Sequence, residues 1–119
     1  MSKTITFNVP VRRRVRPRKF AHETATRNGR VVWLNVGPHR VKFVLQLNNE
    51  GEPAELVHYA SGQIFGSLNG PKLLHAVHRG TYTRLSDRAA AESLIARKVA
   101  SMGADAIMNV LNAAPVLNT

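Results

Sequence analysis

The chain of 119 residues contains no cysteine. This absence excludes a disulfide framework, thiolate metal ligands and a cysteine nucleophile, and it is typical of proteins in a reducing compartment. No apolar run approaches the ~20 residues that a membrane-spanning helix needs, and the first ten residues lack the apolar core of a secretory signal. We therefore expect a soluble intracellular protein without a membrane partner, cytoplasmic, or nuclear if its source is eukaryotic.

The sequence also lacks the motifs of common catalytic sites. It contains only seven acidic residues, and no GxSxG, P-loop or dinucleotide-binding pattern. Of its five histidines, His75 and His78 would share one face of a helix, and His58 would approach them from a strand. No HExxH pattern accompanies them, so ordinary, partly exposed histidines are favoured over a three-ligand zinc site. The sequence predicts a protein that is not an enzyme and has no cofactor and no metal.

Positive charge is concentrated in the first third of the chain. The formal net charge is +10. Residues 1–42 hold eleven basic residues against one acid, Glu23, whereas residues 43–119 hold six of each sign. A generally basic protein would spread this excess over its length, so the asymmetry indicates a local surface for a polyanionic partner.

The densest charge lies in "VPVRRRVRPRKF", residues 9–20, which has six basic residues and no acid. If this stretch is extended, alternate arginines from Arg12 to Arg18 project to one side about 6.6 Å apart. Phosphates advance ~3.4 Å per nucleotide along a duplex strand, so one arginine would meet every second phosphate. The guanidinium fork matches phosphate oxygens, and Pro17 opposes a helix. We therefore interpret residues 9–20 as an arm that grips nucleic acid.

Other interpretations of the same stretch remain open. It would also suit a solvated tail without a partner, or a nuclear address. A transit peptide should form an amphipathic helix, which Pro10 and Pro17 oppose. Polyanion binding is favoured because Arg30, Arg40 and Lys42 lie on predicted strands, so the outer face of the sheet would extend the basic surface.

Aromatic side chains beside these cations suggest base stacking, which usually accompanies a basic groove. Phe20 follows Lys19 directly and would either stack on a base or pack in the core, and Tyr59 is expected on an exposed strand face. The predicted nucleic-acid-binding residues are Arg12, Arg13, Arg14, Arg16, Arg18, Lys19, Phe20, Arg30, Arg40 and Lys42.

Period-two alternation of apolar residues predicts strands over most of the first 70 residues. Residues 21–29 are predicted to be a loop with Asn28–Gly29 as its turn, and "GPH" and "NNEGEP" are predicted to connect later strands. Ser61–Gly62 marks a hairpin turn, and Gly66 a bulge or a close contact. The segments predicted to be strands are TITFNVPV, RVVWLNV, RVKFVLQLN and the two halves of AELVHYASGQIFGSLNG.

Helical patterns follow the predicted strands. "SDRAAAESLIARKVASMG" has Ser86 or Asp87 as an N-cap and Gly103 as a stop, and "ADAIMNVLNAA" is a shorter helix ended by Pro115. This apolar end of the chain would form a homodimer seam or pack on the sheet, and packing is the commoner arrangement. The predicted hydrophobic centre comprises Trp33, Phe43, Leu45, Leu94, Ile95 and Val99.

Strands followed by helices predict an α+β fold. It consists of a mostly antiparallel meander of about five strands, with C-terminal helices packed on one face. Residues 1–20 are interpreted as the basic arm and residues 21–119 as a single domain. The favoured function is nucleic-acid binding, to DNA or RNA, mainly through phosphate contacts. The alternative is a non-enzymatic inhibitor or adaptor that docks on an acidic protein surface, such as one that normally receives DNA.

Overall fold

The structure, a computed structural model, describes residues 4–16, 19–69 and 86–119, with the side chains of residues 4–12, 23–69 and 86–119. One antiparallel sheet precedes two helices, which confirms the predicted α+β fold. Strand order follows the sequence from β1 to β5. The strands are β1 (Thr4–Arg16), β2 (Lys19–Val36), β3 (His39–Leu47), β4 (Pro53–His58) and β5 (Ile64–Ser67). The helices are α1 (Asp87–Met102) and α2 (Ala104–Ala113).

The main core lies between the helices and one face of the sheet, which we call the helix face. Val32 of β2 pairs with Phe43 of β3. The side chains of these two residues, and of every second residue along Val32–Val36 and Val41–Leu45, point towards the helices. Phe43 has no exposed surface, and Phe65 meets it edge-on with ring centroids 5.3 Å apart. The helices contribute five buried residues, Ala90, Ala91, Ile95, Ile107 and Leu111.

Most of the predicted hydrophobic centre belongs to this core. Phe43, Leu45 and Ile95 are buried, and Leu94 and Val99 are partly buried and pack against them. Trp33 was wrongly placed in the centre, because it lies on the opposite face of β2. Leu94 also explains Gly66: a Cβ at Gly66 would stand 2.7 Å from the Leu94 Cδ2 atom, which confirms the predicted close contact.

The helix boundaries agree with the capping signals. The Ser86 hydroxyl accepts a hydrogen bond from the Ala89 backbone N–H at 3.1 Å, which satisfies one free donor of the first turn of α1. Gly103 follows α1 directly, and Pro115 lies just beyond α2. Within the described ranges, neither helix is long and apolar enough to cross a membrane.

Residues 21–29, predicted to be a loop, belong to β2. They pair with β1 from Ile5–Gly29 to Arg13–Ala21, and the pairing continues to Arg16–Lys19. Asn28–Gly29 is not a turn but the point where β2 passes from β1 to β3 as its partner. A Cβ at Gly29 would collide with the Val44 side chain and lie 2.8 Å from the Leu45 carbonyl oxygen, so glycine is needed here for close approach. We call the paired segments 4–16 and 19–30 the ribbon.

The ribbon folds over the second face of the sheet, which we call the outer face. Phe7 and Val9 of β1 pack there on Val44 and Val57, and all four are buried. This second cluster explains Val44, whose apolar side chain interrupts the polar side of β3. The turn between β4 and β5 abuts the ribbon, since a Cβ at Gly62 (φ +69°) would lie 2.8 Å from the Val9 Cα atom.

The C-terminal tail fastens the ribbon to the sheet through Asn118. Its side-chain oxygen accepts a hydrogen bond from the Asn8 backbone N–H at 2.8 Å, and its amide nitrogen donates to the carbonyl oxygens of Asn8 at 2.9 Å and Tyr59 at 2.7 Å. Backbone N–H groups of the tail at Leu117 and Asn118 donate to the Ala60 carbonyl oxygen. The amide therefore joins three parts of the chain.

Replacing Phe7 by alanine should lower the free energy of unfolding by about 3–5 kcal/mol, because it empties the centre of the second cluster. Denaturant unfolding of the purified variant measures this loss. Thr24→Ala is the control: Thr24 is exposed on the same ribbon, so its replacement should change stability by no more than ~0.5 kcal/mol. A loss for Phe7→Ala no larger than for the control would show that the ribbon does not depend on the sheet.

Candidate functional site

Most of the predicted arm forms the distal end of the ribbon. Its arginines from Arg12 to Arg16 continue β1 beyond Pro10, which lies beside the Gly62 turn. Lys19 and Phe20 begin β2, and Arg14 is paired with Phe20. We call residues 12–16 with residues 19–22 the arginine hairpin. The Arg12 side chain is exposed, and Arg18 lies outside the described residues.

The backbone of the arginine hairpin is extended, but its register is not regular. The pairing with β2 shifts between Arg14 and Arg16. The even alternation predicted from Arg12 to Arg18 concerns side chains that, apart from that of Arg12, lie outside those described, so it stays a prediction. The basic stretch is also not a single extended arm, because it spans the end of β1 and the start of β2, which pair with each other.

A second basic surface lies on the outer face, next to the ribbon. Trp33 pairs with Lys42, and Asn35 with Arg40, so these four side chains share the face that the helices do not cover. Tyr59 adjoins them, because its backbone N–H donates to the Lys42 carbonyl oxygen at 3.2 Å. Arg40 and Lys42 therefore lie where the sequence predicted them.

Each cation of this surface lies near an aromatic ring. The Lys42 Nζ atom is 3.8 Å from the Tyr59 ring centroid, and the Arg40 Cζ atom is 5.9 Å from the Trp33 ring centroid. Both distances are within the ~6 Å range of a cation–π attraction. Tyr59 also packs against the second cluster. We call Trp33, Arg40, Lys42 and Tyr59 the aromatic row.

Arg30 does not lie on the outer face. It pairs with Leu45, a residue of the main core, so it belongs to the helix face. The prediction that Arg30 lies on the same face as Arg40 and Lys42 is wrong. Successive residues of a strand point to opposite faces, and Arg30 points to the helix face. Arg30 instead lines a hollow of about 410 Å³ beside β2, where residues of both faces meet at the edge of the strand.

Trp33 and Arg88 are site residues that the sequence analysis missed. Trp33 is 44% exposed, and its carbonyl oxygen accepts a hydrogen bond from the Arg88 guanidinium at 3.2 Å. A signal for Trp33 was present: it alternates out of phase with Val32 and Leu34 and in phase with Asn35. Arg88 carried no such signal, because only the folded chain brings α1 to β2.

His58, a candidate metal ligand, is a core side chain. It is buried, its Nδ1 atom lies 2.7 Å from the Ser61 hydroxyl oxygen, and its ring meets Phe43 edge-on. The expectation that it is partly exposed is therefore wrong. Burial lowers the pKa of its imidazole from the ordinary value of 6.5, because desolvation disfavours the charged ring. His75 and His78 lie outside the described residues.

Comparison of the chain with protein-family models, with curated proteins and with solved structures finds no match. The contacts described above outline two candidate surfaces. One is the arginine hairpin, and the other is the aromatic row with its adjoining hollow.

The buried His58 should make the fold less stable in mild acid. Its pKa is lowered on folding, so below pH ~6.5 the unfolded chain binds more protons than the folded chain. The free energy of unfolding should therefore keep its highest value above pH ~6.5 and decrease as the pH falls below it. Denaturant unfolding at pH 7.5 and pH 5.5 measures the decline, and His58→Asn should reduce it. His39→Asn, at a half-exposed site, should leave it in place; an equal decline in wild type and His58→Asn would contradict the assignment.

Proposed function

We propose that this protein binds nucleic acid, with phosphate contacts from the arginine hairpin and from the basic side chains of the outer face. The observation that carries the proposal is the concentration of charge on the ribbon. The stretch from Arg12 to Lys19 has six basic residues among eight. Its described backbone is extended and paired in a sheet. The proposed activity is binding rather than catalysis.

An ordered ribbon supports this proposal better than a flexible tail would. Binding by a disordered segment has to offset the entropy lost on ordering it, whereas a paired strand has already lost most of its backbone freedom. A two-stranded ribbon also fits the major groove of a duplex. Phosphates attract arginines whatever the base sequence, so we expect broad affinity with limited sequence preference.

The outer face supplies a second, smaller group of cations for the same partner. Arg40 and Lys42 stand on β3 beside the segment of β1 that leads to the arginine hairpin. Their aromatic neighbours hold them on the sheet rather than leaving them free to rotate. A strand of nucleic acid that leaves the hairpin along this face would thus meet further positive charge.

Docking on an acidic protein is the second candidate function. One observation favours it: an exposed tryptophan beside arginines has the composition of protein-interface hot spots. The two functions separate in direct binding measurements, because only the first predicts that duplex DNA, single-stranded DNA and RNA bind to the purified protein.

Binding of nucleic acid should weaken steeply with salt. With about four to six phosphate contacts, log K against log salt should have a slope near −3 to −5. Each of the variants Arg12→Ala, Arg14→Ala and Arg16→Ala should lessen that slope by about one unit, almost regardless of base sequence. Fluorescence anisotropy of a labelled duplex over a salt series gives the slopes.

Arg97→Ala is the matched control, since it removes one exposed arginine from α1, outside both surfaces. It should keep the wild-type slope. The combined replacement of Arg12, Arg13, Arg14 and Arg16 by alanine should also leave the melting temperature nearly unchanged. Equal slopes for wild type and all three hairpin variants would show that the hairpin does not touch phosphate.

A further inference from the structure

Trp33 is the only tryptophan of the chain, and the fold leaves its ring partly in water. Trp33 is 44% exposed, whereas Val32 and Leu34, its neighbours on the strand, are almost fully buried. Covering such a ring would stabilise the fold by roughly 25 cal/mol for each Å² removed from water. Packing within the described chain therefore does not account for an open tryptophan at this position.

The surroundings of Trp33 are positively charged. The hollow beside β2 is lined by Trp33, by the arginines Arg30, Arg40 and Arg88, and by one acid, Asp87. Glu92 stands one helical turn beyond Arg88, with its carboxylate 2.9 Å from the guanidinium. Lys42 lies on β3, directly opposite Trp33 of β2. An open ring with cations on several sides suits a ligand that combines a flat apolar surface with negative charge.

We propose that Trp33 stacks against an unpaired base of single-stranded nucleic acid, while Arg40 and Lys42 contact the phosphates on either side of that base. This inference rests on the proposed function and makes it more specific. A base inside a duplex is covered on both faces by its neighbours, so a ring on a sheet face can stack only on a base that is unpaired or unstacked. Stacking is tolerant of sequence, because every base has a flat face.

Tyr59 is less open to a base than Trp33, because its ring lies between Lys42 and the second cluster. The Lys42 Nζ atom stands 3.8 Å from the Tyr59 ring centroid, and the same ring packs against the second cluster. The Arg40 guanidinium is further from the Trp33 ring, at 5.9 Å from its centroid. Among the described residues, Trp33 is therefore the most exposed aromatic ring on this face.

Because no other tryptophan is present, intrinsic fluorescence reports on Trp33 directly. The wild-type protein is titrated with a thymidine oligonucleotide of about 12 nucleotides, within the ~4–16 that one small single-strand binding domain covers. A blunt duplex of equal length and inorganic polyphosphate, which has charge but no bases, are titrated in parallel. The proposal expects the single strand to quench Trp33 along the binding curve obtained by anisotropy, and the duplex and polyphosphate to leave it nearly unchanged.

Variants test the energetic contribution of the ring. Trp33→Ala should weaken single-strand binding by roughly five- to a hundredfold, the range found when a stacking aromatic is removed. It should change duplex binding by less than about twofold, and Trp33→Phe should restore much of the single-strand affinity. Ile64→Ala removes a similarly exposed apolar side chain elsewhere and should have no effect. Circular dichroism confirms that each variant is folded.

The outcomes separate this inference from the proposed function. If the labelled strands bind but Trp33 is not quenched, and Trp33→Ala binds the single strand as wild type does, the stacking site is refuted and phosphate binding stands. If neither strand binds at low salt, both proposals fail. An RNA oligonucleotide of equal length, compared with the DNA, shows which sugar the site accepts; quenching by either one supports the stacking proposal.

Discussion

The packing of Phe7 and Val9 on Val44 and Val57 is the contact on which the arrangement of this protein depends. A long two-stranded ribbon is at best marginally stable in water on its own. By burying one side of β1 on the outer face, the ribbon gains a core, and the remainder of its length is held in a defined direction. Gly29 makes this possible, because no other residue would let β2 pass so close to β3 at the point of the bend.

The same contact decides which part of the outer face stays open. β1 covers the sheet over Val44 and Val57, whereas the row of Trp33, Lys42 and Arg40 lies beside it and is not covered by the described chain. Sheets with a helix layer on one side commonly leave the other side to solvent. Here that side is divided between an apolar half, on which the ribbon packs, and a half that carries the cations Arg40 and Lys42.

The arginine hairpin is difficult to explain by stability. Neighbouring like charges repel one another, and a concentration of them weakens the compact state. The Asn118 side chain fastens the ribbon to the sheet at Asn8, four residues before the first arginine of the hairpin. A polyanion would remove the repulsion, and it would do so most strongly where the charges are densest.

Local patterns in the sequence were sufficient for the architecture but not for the placement of the ribbon. Alternation in β3 and the Ser86 and Gly103 signals depend on near neighbours, and both agreed with the structure. The extent of β2 was missed because "HETATRNG" is polar on both sides, as a ribbon standing largely in water is, and so resembles a loop. Trp33 was misplaced for a different reason: its size suggested burial, although its alternation with Val32 and Leu34 already indicated the opposite face, which the pairing with Lys42 shows directly.

The two candidate surfaces differ in the physics of the contacts they offer. Under the proposals above, the arginine hairpin would act through charge, which salt screens over a Debye length of ~8–10 Å near physiological ionic strength. Trp33 would act through contact between flat surfaces, which salt affects much less. A ligand held by both would lose its phosphate contacts first as salt rises and keep the stacked base longest. The residual affinity at high salt therefore isolates the part of the interaction that distinguishes a single strand from a duplex, which charge alone does not.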